Sequence, residues 1–300
     1  MLQLISLFLC EWLWCLSSLI IKPRMLQYDK GYQREVRCHK INSKVYEGWK
    51  IERFHIKSDY GCVLSCELIE PDNNLNCNGI RKIAVLCHGL GCAKYDSIKY
   101  AEIFLKLGFT VLMYDHRNHG LSSKAFTTMG YFEKYDLKKV IDWCLHRFGK
   151  QCKIITHGES MGAATVLLHL EIDNRVSCVI ADCAFSDLKQ LLRHQLKQYY
   201  HLPGFLIPVE SCVSYVRAGF WFRAVSPIIA VSKSDTPVLF IHGKRDNFVP
   251  TYMSKQMYAC KKKNKAIYLV RRARHAESCC INPKGYEKAV ERFLSKYFVD

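Results

Sequence analysis

Residues 152–162 read CKIITHGESMG: a short apolar run, then Gly158-Glu159-Ser160-Met161-Gly162, then a stretch with helical spacing. A serine flanked two places away on each side by glycine, between a strand and a helix, makes a turn with no room for a side chain at either glycine. The turn strains the backbone of its central residue and lifts the hydroxyl clear of the sheet. The helix that follows aims unpaired N–H groups and the positive end of its dipole at the same place. Ser160 is therefore a candidate nucleophile for attack on an acyl carbon.

Serine needs a base, and the base needs an acid that orients it. In a strand–turn–helix arrangement of this kind the chain order is serine, acid, histidine. Two later apolar runs, 237–241 (PVLFI) and 266–270 (AIYLV), lead into Asp246 and His275 respectively. Ligands collect at such strand ends in open parallel sheets. Asp246 is the candidate acid and His275 the candidate base, with Asp182 and Asp187 as reserve acids. His157 and His242 read as structural, and His116 and His119 as bracing a loop. The amide of Met161 should form half of an oxyanion hole. The Gly-rich loop His88-Gly89-Leu90-Gly91 should supply the other half through the Leu90 N–H.

These side chains need a scaffold. Residues 50–57 and 61–69 read as a hairpin of two strands. From there, short fully apolar runs (82–87, 109–114, 152–156, 176–181, 237–241, 266–270) alternate with helical segments. Such runs mean strands buried on both faces, hence an α/β fold with a mostly parallel central sheet and helices on both faces. Residues 186–233 break the alternation and fit a small helical cap. Its apolar members Leu202, Phe205, Leu206, Ile207, Val213, Phe220, Trp221 and Phe222 are candidates to line an acyl channel.

The 300 residues carry 44 Lys and Arg against 27 Asp and Glu, a net charge of +17. No P-loop, zinc-finger spacing or RNA-binding signature accompanies that charge, so nucleic acid is not an expected partner. Sixteen cysteines without a single CxxC pair, in a chain this long, read as reduced thiols and not as a disulfide framework or metal site. Residues 1–21 are almost wholly apolar, and the segment 22–49 that follows is basic. The pattern predicts a membrane anchor at 1–21, spanning or lying on the bilayer, with a catalytic domain at 50–300 facing the cytoplasm. Glu11, in the middle of the run, weakens the spanning form.

Taken together, the HGLG loop, the stretch Tyr114-Asp115-His116-Arg117-Asn118-His119-Gly120, GESMG, FIHGKRD and RHAE resemble the α/β-hydrolase superfamily. The nearest likeness is to its serine aminopeptidase-like and monoacylglycerol lipase-like bacterial esterases with an N-terminal membrane segment. The resemblance covers roughly residues 51–297. It implies an α/β-hydrolase fold, a Ser160–Asp246–His275 triad and an acyl-enzyme route that needs no metal or organic cofactor. Arg272 and Arg274 depart from the group, which carries small or neutral residues beside the histidine. A small-molecule acyl ester is the expected substrate. Amide or aminopeptidase chemistry by the same residues is the alternative, with Glu210 the main cap carboxylate able to hold a substrate amine. A non-catalytic membrane-attached scaffold is the alternative of another class.

Overall fold

The computed structural model describes residues 2–71 and 80–298, with side chains from residue 11 onward. Eight strands form one sheet: β1 (Ile51–Lys57), β2 (Val63–Ile69), β3 (Lys82–Cys87), β4 (Thr110–Tyr114), β5 (Lys153–Glu159), β6 (Val176–Asp182), β7 (Val238–Gly243) and β8 (Lys265–Val270). Their spatial order is β1-β2-β4-β3-β5-β6-β7-β8. Only β2 runs against its neighbours β1 and β4; every later pairing is parallel.

Before the sheet come helices α1 (Leu2–Ile21), α2 (Tyr28–Arg37) and α3 (Ser43–Glu47). Within it lie α4 (Ile98–Lys106), α5 (Glu133–Phe148), α6 (Met161–His169), α7 (Leu188–Gln195), α8 (Leu206–Ala218), α9 (Pro227–Lys233) and α10 (Tyr252–Cys260). The chain ends with α11 (Ser278–Ile281) and α12 (Pro283–Tyr297). Strand periodicity sorts the core into two layers. Ala84, Leu86, Val111 and Met113 face one cluster with Phe104 and Phe293. Ile83, Val85, Leu112 and Tyr114 face the other with Leu137, Val140 and Val166.

Residues 186–233 form the helical cap, α7 to α9, with a π turn at Leu196–Tyr200. A third core cluster lies beneath it, joining Leu188, Leu192, Ile207 and Phe222 of the cap to Met161 and Leu168 of α6. Ile21 belongs to that same cluster.

The expectation of a membrane-spanning segment at 1–21 gains no support. Among the described residues no helix is long and apolar enough to cross a membrane. The described half of α1 packs on the cap: Ser17 and Ile21 are fully buried. Arg217 of α8 donates to the Trp14 carbonyl and to the hydroxyls of Ser17 and Ser18, and lies 4.1 Å over the Trp14 ring. The burial of this half is partial, since Trp14 and Leu19 stay 53% and 50% exposed. The side chains of residues 1–10, the rest of the expected anchor, lie outside the described residues.

Candidate active site

Ser160 stands between β5 and α6 with φ 55° and ψ −113°, a left-handed-side conformation that L-residues rarely adopt. The flanking glycines permit it. A Cβ on Gly158 would stand 2.3 Å from the backbone of Gly162, and one on Gly162 only 2.2 Å from the Cys87 carbonyl oxygen of β3. The elbow is thus wedged between two strands and its own helix, and Ser160 cannot relax.

The structure brings the three residues singled out in the sequence together. Ser160 Oγ lies 2.9 Å from His275 Nε2, and His275 Nδ1 lies 2.7 Å from Asp246 Oδ2. An ionised carboxylate can only accept, so the proton sits on Nδ1 and leaves Nε2 free to accept from serine. Asp246 Oδ1 accepts the Phe248 and Val249 amides at 3.0 and 2.9 Å, and Oδ2 lies 3.1 Å from His242 Nε2. Burial pushes the Asp246 carboxyl up, but hydrogen bonds from His242 and His275 outweigh it and hold the pKa at about 2. His242 is in turn oriented by Ser254, 2.7 Å from its Nδ1. Cys183 has its sulfur within 4.8 Å of ligand atoms of both Asp246 and His275.

The reserve acids serve elsewhere. Asp187 caps α7 by accepting the Gln190 amide. Asp182 accepts from Tyr100 at 3.3 Å, while its carbonyl takes the Ser160 amide. Met161 is the first residue of α6, so its amide has no acceptor within the helix. Leu90 sits in the turn after β3, where a Cβ on neighbouring Gly89 would be 3.6 Å from Ser160 Cβ. His88 holds this loop: its Nδ1 lies 2.8 Å from the Gly89 carbonyl and its Nε2 accepts the His116 amide at 2.9 Å. Gly91 donates to His119 Nε2 at 3.2 Å. Arg272 and Arg274 are exposed.

Behind the elbow, Glu159 is completely enclosed. Lys99 lies 2.7 Å from it and 3.3 Å from Asp96, and Tyr100 donates a short hydrogen bond to it. Burial first, then the Asp96 charge, drive the Glu159 carboxyl upward, whereas Lys99 brings Asp96 down to about 2 despite its burial. Sequence spacing offers no signal that joins the network, because Asp96, Lys99 and Tyr100 come from one segment and Glu159 lies 59 residues beyond Tyr100.

A cavity of about 380 Å³ adjoins the site through Leu90 and through Phe248, whose ring centroid is 5.0 Å from that of His275. Of the expected acyl-channel residues, Ile207 and Phe222 line it. Leu206 and Phe220 are core, Trp221 stacks on Tyr215, and Phe205 points to solvent at 72% exposure. The remaining wall is built by Leu16, Leu19 and Ile20 of α1, by Leu192 and Leu196, and by Tyr199 and Tyr200. Glu210 also lines it.

Residues 84–207 match the family model described as the alpha/beta hydrolase fold. The chain is 35% identical over 252 residues to the uncharacterized protein YqkD of Bacillus subtilis, covering 83% of this chain and 81% of that one. Among solved structures it resembles the Pyrococcus furiosus esterase Pf2001, with TM-score 0.68, 23% identity and coverage of 86% of this chain and 96% of that chain. It also resembles XC6422 of Xanthomonas campestris, a serine hydrolase described as lacking a lid (TM-score 0.60, 15% identity, 83% of this chain and 95% of that chain). The chain belongs to the α/β hydrolase superfamily.

Proposed function

We propose that the protein is a serine hydrolase acting on carboxylic esters. The observation that carries the reading is the unbroken relay from Ser160 Oγ through both ring nitrogens of His275 to Asp246, mounted on a strained elbow. In this reading Ser160 attacks the acyl carbon while His275 takes its proton at Nε2. Asp246 keeps the imidazole in the accepting tautomer and balances the imidazolium that forms. The Met161 and Leu90 amides receive the charge that develops on the carbonyl oxygen. His275 then passes the proton to the leaving alkoxide, and water, activated by the same histidine, releases the acyl group. The apolar cavity beside the nucleophile supports an acyl ester over a peptide as substrate.

The test is labelling with a fluorophosphonate probe, followed by a panel of p-nitrophenyl esters, thioesters and aminoacyl anilides. Labelling is expected at Ser160 and absent from Ser160→Ala, whose ester turnover falls by at least about a thousandfold. His275→Ala should fall as far, and the double variant little further, because the two act as one unit. Esters are expected to rise in kcat/KM from acetate to butyrate. Faster turnover of aminoacyl anilides than of any ester moves the protein to the peptidase reading, and failure to label rejects both.

A further inference from the structure

The ester mechanism makes no use of an ionisable group inside the apolar cavity, yet the cavity holds one. Glu210 of α8 is 2% exposed, and among the described residues neither carboxylate oxygen has a hydrogen-bond partner. It is the single charged residue among the described cavity lining. Arg217, seven residues further along α8, donates instead to Trp14, Ser17 and Ser18 of α1. Burial, opposed only by the Arg217 charge, drives the Glu210 carboxyl up to about 7.

An unpartnered buried carboxylate is a standing penalty on the fold. A plain alkyl chain entering this cavity would make that worse, by expelling water from the carboxylate and offering nothing in exchange. A chain with a hydrogen-bond donor at the right depth would satisfy it. Sites built around a buried polar group discriminate strongly in this direction, because the analogue lacking the donor leaves the group unpaired.

We propose that Glu210 is a specificity-determining residue and that the cavity takes acyl chains bearing a hydroxyl or amino group which donates to its carboxylate. This rests on the serine-esterase reading and names its substrate class: polar-ended acyl esters. The Met129, Leu192 and Phe222 walls hold the methylenes, and Glu210 reads the end of the chain.

The test compares p-nitrophenyl hexanoate and octanoate with their ω-hydroxy and ω-amino counterparts, on wild type, Glu210→Leu and Glu210→Gln. At one of the two lengths the donor-bearing ester is expected to exceed the plain ester in kcat/KM by at least about tenfold. Glu210→Leu should invert that ratio. Glu210→Gln, the variant least disturbing to folding, should keep the hydroxyl preference and lose the amino preference. The hydroxyl and amino arms identify which donor the cavity takes. Preference of the wild type for plain esters overturns the proposal and leaves the esterase reading standing. So does a ratio that Glu210→Leu leaves unmoved while thermal stability changes, the mark of a purely structural carboxylate. If wild type turns over none of these esters, the esterase reading fails. Calorimetric titration with octanamide and ω-hydroxyoctanamide then decides the cavity separately: tenfold tighter binding of the hydroxyamide, lost in Glu210→Leu, supports the proposal, and equal affinity overturns it.

Discussion

Asp246 concentrates the electrostatics of the site on one side chain. It accepts from two backbone amides and two histidines, and its carboxyl is held at about 2 although burial alone would raise it. Because the folded-state pKa lies below the ordinary value of 3.8, the ionised form stabilises the fold above about pH 4. That contribution, about 2 kcal/mol, is lost as the pH falls toward 2. Asp246→Asn is expected to remove this acid limb from a denaturant-derived stability profile. It should also lower kcat by about a thousandfold or more, since asparagine can present an N–H to His275 and turn the imidazole to the wrong tautomer. Near-wild-type turnover in Asp246→Asn would require a different acid, with Asp182 the first to test. Glu159 behaves in the opposite sense, since enclosure and the neighbouring Asp96 charge drive its carboxyl upward against the pull of Lys99.

At the scale of elements, α1 and α8 act together as one wall. Arg217 binds the last turns of α1 through a carbonyl and two hydroxyls, and α1 supplies Leu16, Leu19 and Ile20 to the cavity. A single side chain thus couples an N-terminal helix to the width of the candidate substrate site. Arg217→Ala should leave the sheet intact but release α1. Hydrogen exchange is expected to show faster exchange across residues 11–21 and no change in β5 or β7. KM for octanoyl esters should rise several-fold while acetate turnover holds. Unaltered protection of α1 would show that apolar packing of Ile21 and its neighbours holds the helix without Arg217.

Over the whole molecule, the region joining β2, β4 and the loop after β3 is held by a buried ion pair. Lys94 Nζ lies 2.8 Å from Asp115 Oδ2 and 3.1 Å from Ser65, while Asp115 also accepts the amides of Lys94 and Leu121. Lys94 and Asp115 are 1% and 0% exposed as side chains. Removing one partner leaves the other charge buried alone, which costs about 3–5 kcal/mol. Asp115→Ala should therefore lower Tm by about 10 °C in calorimetry. A smaller change than that of a surface substitution would mean that water reaches Lys94. The described cysteines are all free thiols, Cys62, Cys66, Cys144 and Cys152 among them buried. A reductant is accordingly expected to leave Tm unchanged; a fall on reduction would reveal disulfides.

Local rules sufficed for the α/β fold and for the identity of the candidate residues. Apolar runs of strand length, glycines that only a close backbone approach demands, and the order serine, acid, histidine are all written in short stretches of chain. They needed no knowledge of what packs on what. Neighbourhood across the chain is another matter. The apolar run at 1–21 is equally suited to a bilayer or to a protein groove, since both reward the same removal of hydrocarbon from water. In the folded chain Ile21 joins the core between the cap and α6, and Arg217 ties the last turns of α1 to α8. Phe205 and Ile207 look alike in the sequence, yet Phe205 sits in the turn before α8 and stays in solvent, whereas Ile207, in the first turn of α8, faces the cavity. Glu210 is one more cap carboxylate by spacing, and only the packing of α8 beside α1 leaves its carboxyl without a partner among the described residues. The lone pairs of a carboxylate carry no record in sequence of whether a partner will meet them; tertiary packing alone decides that.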